Sequence, residues 1–118
     1  MVMTGEQNAP LVVGVDGSPD SLRAADWALR AGMSLQLPVR LLRAQGWPDH
    51  VGDDRSATEL LADTLARHPG DTSVGVDALD VRADPVPALV DASDSATAVV
   101  VGARGHGRLR GAMTSSVS

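Results

Sequence analysis

Short apolar segments alternate with segments of helical periodicity along this chain, and this alternation constrains the fold more than any other feature. The apolar runs predict strands at residues 11–15, 39–44, 74–81 and 97–101. The segments between them predict helices at residues 19–34 and 54–67, and a shorter helix that starts with Pro85. The order β-α-β-α-β-α-β predicts an α/β fold, a doubly wound, Rossmann-like parallel sheet with helices on both faces.

Two of the predicted helices have clear start signals. Ser18 before Pro19 is typical of an N-cap and a first helical position, and Asp84 before Pro85 repeats the pattern. Trp27, on the first helix, is expected to cover the sheet edge. The residues predicted to face the sheet are Leu22, Ala25, Leu29 and Met33 in the first helix, Ala57, Leu61 and Leu65 in the second, and Val86, Leu89 and Val90 in the third.

One segment of this acidic chain carries a net positive charge. The formal net charge is -5, yet residues 102–118 contain Arg104, Arg108 and Arg110 and no carboxylate. Glycines at positions 102, 105, 107 and 111 leave main-chain amides accessible there, and successive amides of this kind form a nest suited to anions. The combination predicts a phosphate-binding loop. A solvated basic loop is the alternative.

Composition excludes several classes of function. The absence of lysine excludes a Walker-type phosphate loop and Schiff-base chemistry. The absence of cysteine excludes disulfides and thiolate metal sites, and it is typical of a cytoplasmic protein. Few aromatic residues and an acidic balance argue against nucleic acid, and the apolar runs are too short to span a membrane. We therefore expect a cytoplasmic protein whose partner is neither nucleic acid nor membrane.

Three distant parts of the sequence are predicted to meet at one edge of the sheet. Asp16, Ala44 and Gly102 each lie at the carboxyl end of a predicted strand. In open parallel sheets, ligands bind beyond these ends, at the point where the strand order reverses. The sequence therefore predicts a ligand site there. For Asp16 the alternative is a structural role, in which its side chain caps the turn before the first helix.

Three blocks of the chain resemble the universal stress proteins, a family of adenine-nucleotide-binding α/β domains. The blocks are VVGVDGSPDSLRAADWAL at 12–29, VRLLRA at 39–44 and VVVGARGHG at 99–107. The nucleotide motif of the family is Gly, two residues, Gly, nine residues, then Gly-Ser or Gly-Thr. Here Gly102 and Gly105 match its first half, and Ser115 with Ser116 stand at its second half.

The resemblance implies ATP or a related adenine nucleotide as the ligand, which can be bound with or without Mg²⁺. Asp16 is implied to face the ribose or a phosphate-bound Mg²⁺ ion, and Val15 and Ala44 to meet the adenine mostly through main-chain groups. His106 is expected to be an exposed loop residue rather than a base. The full set implied to contact the nucleotide is Val15, Asp16, Ala44, Val101, Gly102, Arg104, Gly105, His106, Ser115, Ser116 and Val117.

The chain departs from the family pattern in two places. Ser115 stands where the motif has its last glycine, and the chain ends at Ser118, where the family continues with a helix and a fifth strand. We therefore expect residues 1–118 to be a single domain, incomplete at its C-terminus, with strand order 3-2-1-4 instead of 3-2-1-4-5. ATP binding is expected to be weakened or lost. The family commonly dimerises through the fifth strand, and here a second copy or a partner chain is expected to cover the open edge.

These observations favour one function and leave two others open. The leading hypothesis is a stress-response module that binds ATP or a related nucleotide and signals through its bound state. The alternative is an interaction protein of the same fold that binds no nucleotide. An enzyme is disfavoured by the absence of lysine and of an evident nucleophile–base pair. Slow ATP hydrolysis or autophosphorylation is the most that the resemblance allows.

Overall fold

The computed structural model describes residues 9–44, 55–68 and 74–102, and within them strands and helices alternate as the sequence predicts. The strands are β1 (Leu11–Gly14), β2 (Val39–Ala44), β3 (Val76–Val81) and β4 (Ala98–Val101). The helices are α1 (Pro19–Leu35), α2 (Ala57–Ala66) and α3 (Pro85–Ser93). None of the described helices combines the length and the hydropathy that a membrane span needs.

The described strands form one parallel sheet in the order β3-β2-β1-β4. Gly14 of β1 lies between Leu42 of β2 and Val101 of β4 in the hydrogen-bonding register. Helices α1 and α2 pack on one face of the sheet, and α3 packs on the other. The predicted doubly wound fold and its strand order 3-2-1-4 are thus confirmed.

An apolar layer on each face of the sheet forms the core. Successive side chains of a strand point to opposite faces, and β2 shows this clearly. Its Val39 and Leu41 pack with α1 and α2, whereas Leu42 and Ala44 pack with α3. The buried apolar residues are all valine, leucine or alanine, because the chain has no Phe or Tyr to contribute.

The end of α1 approaches β2 more closely than a side chain would allow. Gln36 adopts a left-handed conformation with φ 58°, and its N–H donates to the Gly32 carbonyl. A Cβ atom at Gly32 would lie 2.5 Å from Val39 Cγ2 and 2.8 Å from the Leu37 carbonyl oxygen. Glycine at position 32 therefore permits the tight turn from the helix into the sheet.

Several predicted boundaries differ from the structure by a few residues. The prediction for β1 was one residue too long, and α1 continues one residue further, to Leu35. The α2 prediction, 54–67, was too long at both ends, since the helix runs over Ala57–Ala66. Ser56 is its N-cap and forms a capping box with Glu59, a signal that the sequence carries and the prediction missed.

The predicted sheet-facing residues of α2 and α3 pack inward except for Val90, and α2 buries two further residues. On α2, the predicted Ala57 is fully buried, and Leu61 and Leu65 are half-buried against the core. Leu60 and Thr64, which the prediction omitted, are fully buried. The Thr64 hydroxyl donates to the Leu60 carbonyl at 2.9 Å, so its burial leaves no polar group unsatisfied. On α3, Val90 was predicted to face inward and is instead 50% exposed. Val86 and Leu89 of the same helix pack against the sheet, as predicted.

The charged residue Asp77 lies within β3. It lies directly opposite Arg40 of β2 in the register. The Arg40 Nε and Nη2 atoms donate to its two carboxylate oxygens at 2.9 and 3.0 Å. These hydrogen bonds outweigh partial burial and raise the pKa of Arg40. A charged residue is therefore accommodated in this strand by a cross-strand pair.

Candidate functional site

The carboxyl ends of β1, β2 and β4 lie next to one another at one edge of the sheet. Gly14 is in register with Leu42 and Val101, and the Val15 N–H donates to the Leu42 carbonyl at 2.9 Å. Asp16, Ala44 and Gly102, which follow these positions, therefore share that edge. We call the end of the sheet where these three residues lie the carboxyl edge. It lies where the strand order reverses around β1, the point at which α/β sheets bind ligands.

The turn from β1 into α1 is closed by a buried network of polar groups. Gly17 has φ 87°, and the Ser18 N–H donates to Asp16 Oδ1 at 2.9 Å. Ser18 Oγ in turn accepts from the Ser21 N–H at 3.2 Å, which confirms the predicted N-cap. Asp16, Ser18 and Ser21 are 3, 7 and 3% exposed. The structural alternative for Asp16, a turn-capping carboxylate, is thus what the geometry shows, and contact with a nucleotide stays a prediction.

Gly102 lies against the first turn of α1. A Cβ atom there would be 2.7 Å from both the carbonyl carbon and the carbonyl oxygen of Asp20, and 3.0 Å from the Ser21 nitrogen. Because these are main-chain atoms, the neighbour cannot simply move aside. Glycine at this position is therefore required by packing alone, a reason that the sequence pattern did not reveal.

Most of the described candidate residues are buried. Val15, Ala44 and Val101 are 0, 1 and 9% exposed, and the side chains of Ala44 and Val101 belong to the layer under α3. Gly102 is half-buried. A ligand would therefore meet Val15 or Ala44 mainly through main-chain groups, because their side chains pack into the core.

The N-terminus of α3 offers few free donors to an anion. In α3, Pro85 and Pro87 have no N–H, and the Ala88 N–H donates to the Asp84 carbonyl at 3.1 Å. This leaves Val86 as the donor of the first turn. Asp84 occupies the predicted N-cap position, but its side chain makes no capping hydrogen bond. Within the described residues, the N-terminus of α3 therefore offers a phosphate little more than the Val86 N–H.

A carboxylate that sequence analysis did not single out holds the start of α2 to the sheet. The Ala57 N–H lies 3.2 and 3.3 Å from the two carboxylate oxygens of Asp80, on β3. A negative group at this position also interacts favourably with the helix dipole. Asp80 is in register with Arg43 of β2. Nothing in the local sequence predicts this contact, because residues 57 and 80 meet only in the folded chain.

Trp27 lies on the β4 side of α1. It borders a surface pocket of about 280 Å³ together with Val100 and Gly102, and it is 53% exposed. The Trp27 side chain therefore lies beside β4, the strand at the side of the sheet that it was predicted to cover, and half of its surface is in solvent.

The remaining candidates, Arg104, Gly105, His106, Ser115, Ser116 and Val117, lie outside the described residues. Within residues 9–44, 55–68 and 74–102, no group of three or more His, Asp or Glu side chains is arranged to hold a metal ion. Asp16 is thus the described residue on which the predicted Mg²⁺ contact depends.

Comparison with known proteins gives this geometry a context. The universal stress protein family matches the chain over residues 8–118. A universal stress protein of Mycobacterium tuberculosis is 34% identical over 128 residues, covering 98% of this chain and 42% of the relative. Another, from Mycobacterium bovis, is 37% identical over 135 residues, covering 99% of this chain and 43% of the relative. The chain therefore spans less than half the length of these relatives.

A solved structure is similar to the fold described above. It is the crystal structure of a universal stress protein in complex with cAMP, 29% identical in sequence, with a TM-score of 0.65. The similarity covers 92% of this chain and 86% of that chain.

Proposed function

The chain belongs to the universal stress protein family, and we propose from this that it binds an adenine nucleotide at its carboxyl edge. The observation that carries the proposal is the meeting of Asp16, Ala44 and Gly102 at one end of the sheet, beside the reversal of strand order. The similar protein of known structure binds cAMP, which supports an adenine nucleotide as the class of ligand.

The described residues fit the base of a nucleotide better than its phosphates. Adenine would meet Val15, Ala44 and Val101 mainly through main-chain groups, because their side chains are 0, 1 and 9% exposed and pack into the core. The phosphates would depend on Arg104 and the other arginines of residues 102–118. We therefore propose that the edge recognises the adenine, and that the number of phosphates tolerated, from cAMP to ATP, is decided by that segment.

Mg²⁺ fits Asp16 poorly. Its Oδ1 atom already accepts from the Ser18 N–H, and the residue is 3% exposed. A hydrated ion would have to break the β1–α1 turn to reach it, and Mg²⁺ gives up its waters reluctantly. We therefore propose nucleotide binding that does not depend on coordination of Mg²⁺ by Asp16.

Calorimetric titration of the whole chain with cAMP, AMP and ATP, each with and without Mg²⁺, tests the proposal. Saturable binding of one nucleotide per chain, with GTP as the control that binds more weakly, would support it. Equal affinity with and without Mg²⁺ would support the minor role given to the ion. If no adenine nucleotide binds, the proposal fails and the interaction-protein alternative takes its place.

One observation favours that alternative. Among the described strands, β4 pairs with β1 alone, and the half-exposed Trp27 stands beside its outer edge. An edge of this kind can be covered by a second copy or by a partner chain. Sedimentation of wild type and Trp27→Ala would test it, because a dimer that uses this edge should dissociate at higher concentration in the variant.

A further inference from the structure

We propose that Ser21 is the positioning residue of the carboxyl edge, holding Asp16 and Gly102 in the arrangement that a nucleotide would meet. The inference rests on the proposed function. Ser21 is buried, with 3% of its surface exposed, and lies in the first turn of α1. The resemblance to the family assigned it no role.

The Ser21 hydroxyl links the strand to the helix. Its Oγ accepts from the Asp16 N–H at 3.3 Å and donates to the Ser18 carbonyl at 2.9 Å. A hydroxyl has one proton to donate and lone pairs to accept with, so both bonds form at once. The preceding amide, that of Val15, donates to the Leu42 carbonyl of β2. The Ser21 hydroxyl thus accepts from the next main-chain N–H along the chain, that of Asp16, at the point where pairing within the sheet has ended.

The Ser21 main chain also lies close to Gly102, the residue that follows β4. A Cβ atom at Gly102 would lie 3.0 Å from the Ser21 nitrogen and 2.7 Å from the carbonyl of Asp20. Gly102 therefore lies directly against the turn that the Ser21 hydroxyl anchors. A shift of this turn would be transmitted both to Asp16, through the hydrogen bond, and to Gly102, through close packing.

Loss of the hydroxyl has a specific consequence. In Ser21→Ala the buried Asp16 N–H loses the hydroxyl as an acceptor, and the Ser18 carbonyl loses one of its donors, although it still accepts from the Leu22 N–H at 3.0 Å. The helix itself keeps its N-cap, since the Ser21 N–H still reaches Ser18 Oγ. The effect should therefore fall on the geometry of the edge more than on the presence of α1.

The test compares three variants with wild type by calorimetric titration with cAMP and with ATP. Ser21→Ala should lower the affinity for whichever of the two nucleotides binds more tightly to wild type by about tenfold. Ser21→Thr keeps the oxygen and should restore most of the affinity. Ser34→Ala, an exposed serine at the other end of the same helix, should bind as wild type does. If Ser21→Ala fails to fold, Ser21→Cys, which fills similar space with a much weaker donor and acceptor, should show the loss instead.

Amide hydrogen exchange of the ligand-free chain gives a second readout. Exchange at the Asp16 and Gly102 amides should be about tenfold faster in Ser21→Ala than in wild type or Ser34→Ala. Unchanged affinity in Ser21→Ala, while wild type binds, would overturn the inference and leave the proposed function intact. A loss of affinity that Ser21→Thr does not restore, or unchanged exchange at both amides, would also overturn it. If wild type binds neither nucleotide, the proposed function and this inference fail together.

Discussion

Asp26 of α1 and His68, which follows α2, are joined by a 3.1 Å contact between Oδ1 and Nε2. The same carboxylate accepts from Arg67 Nη2 at 3.1 Å. Burial opposes ionisation of Asp26, but the hydrogen bonds from Arg67 and His68 outweigh it and lower its pKa. One carboxylate therefore fastens the end of α2 to the middle of α1.

This contact predicts a specific dependence of stability on pH. Because the pKa of Asp26 is lower in the folded chain, its contribution is fully present above the pKa of an unfolded Asp, about 3.9. The contribution is lost as the pH falls through the lower, folded-state value. Urea unfolding at pH 7 should show that Asp26→Asn costs about 1 kcal/mol, with the difference from wild type shrinking toward pH 3. Asp91→Asn, at an exposed position, should show no such trend. A constant difference at all pH values would contradict the assignment.

The packing of Gly102 predicts that a single methyl group destabilises the fold. In Gly102→Ala the new Cβ would meet the main chain of Asp20 at 2.7 Å, and overpacking of this kind costs about 1–3 kcal/mol. Gly75→Ala is the matched control, because a Cβ at Gly75 has no atom within 4 Å. Urea unfolding should show Gly75→Ala within about 0.5 kcal/mol of wild type. Equal stability of the two variants would show that Gly102 is not held against α1.

Neighbouring leucines of α2 test which face of the helix is buried. Leu60 is 0% exposed and Leu61 is half-buried. Leu60→Ala should therefore cost about 2–5 kcal/mol, and Leu61→Ala should cost clearly less. The free energy of unfolding of each variant decides this, and the reverse order would contradict the deeper burial of Leu60.

The start of α2 should show coupling between a local and a distant cap. Ser56 Oγ accepts from the Glu59 N–H at 3.2 Å, and Asp80 accepts from the neighbouring Ala57 N–H. Ser56→Ala should cost about 1 kcal/mol, as should Asp80→Asn, which loses the charge at the helix end. The double variant should lose less than the sum, since both caps support one helical turn. Thr58→Ala, exposed on the same helix, provides the control. Strict additivity would indicate that the two caps act independently.

The order of elements could be predicted because each depends on local chemistry. Ser18 and Pro19 mark the start of α1, and the apolar run at 39–44 coincides with β2. The errors arise where distant residues decide the outcome. How deeply Leu60 and Leu61 are each buried depends on how α2 rotates against the sheet, and a short helical pattern fits more than one rotation.

The candidate site was predictable in its location but not in its detailed contacts. Topology brings Asp16, Ala44 and Gly102 together, and their positions at the carboxyl ends of predicted strands made this predictable. The hydrogen bond from the Asp16 amide to Ser21 and the approach of Gly102 to Asp20 are tertiary contacts without a local signature. Each contact gives a structural reason for a residue, Asp16 or Gly102, that the sequence pattern assigned to ligand binding.

The most direct test of the central claim is an NMR titration of the amide resonances of the whole chain with cAMP and with ATP. The account predicts saturable shifts at Asp16, Ala44 and Gly102, and little change at Val39 and Val76, which begin β2 and β3 at the opposite end of the sheet. Saturable shifts centred on Val39 and Val76, or no saturable shift at millimolar nucleotide, would contradict it.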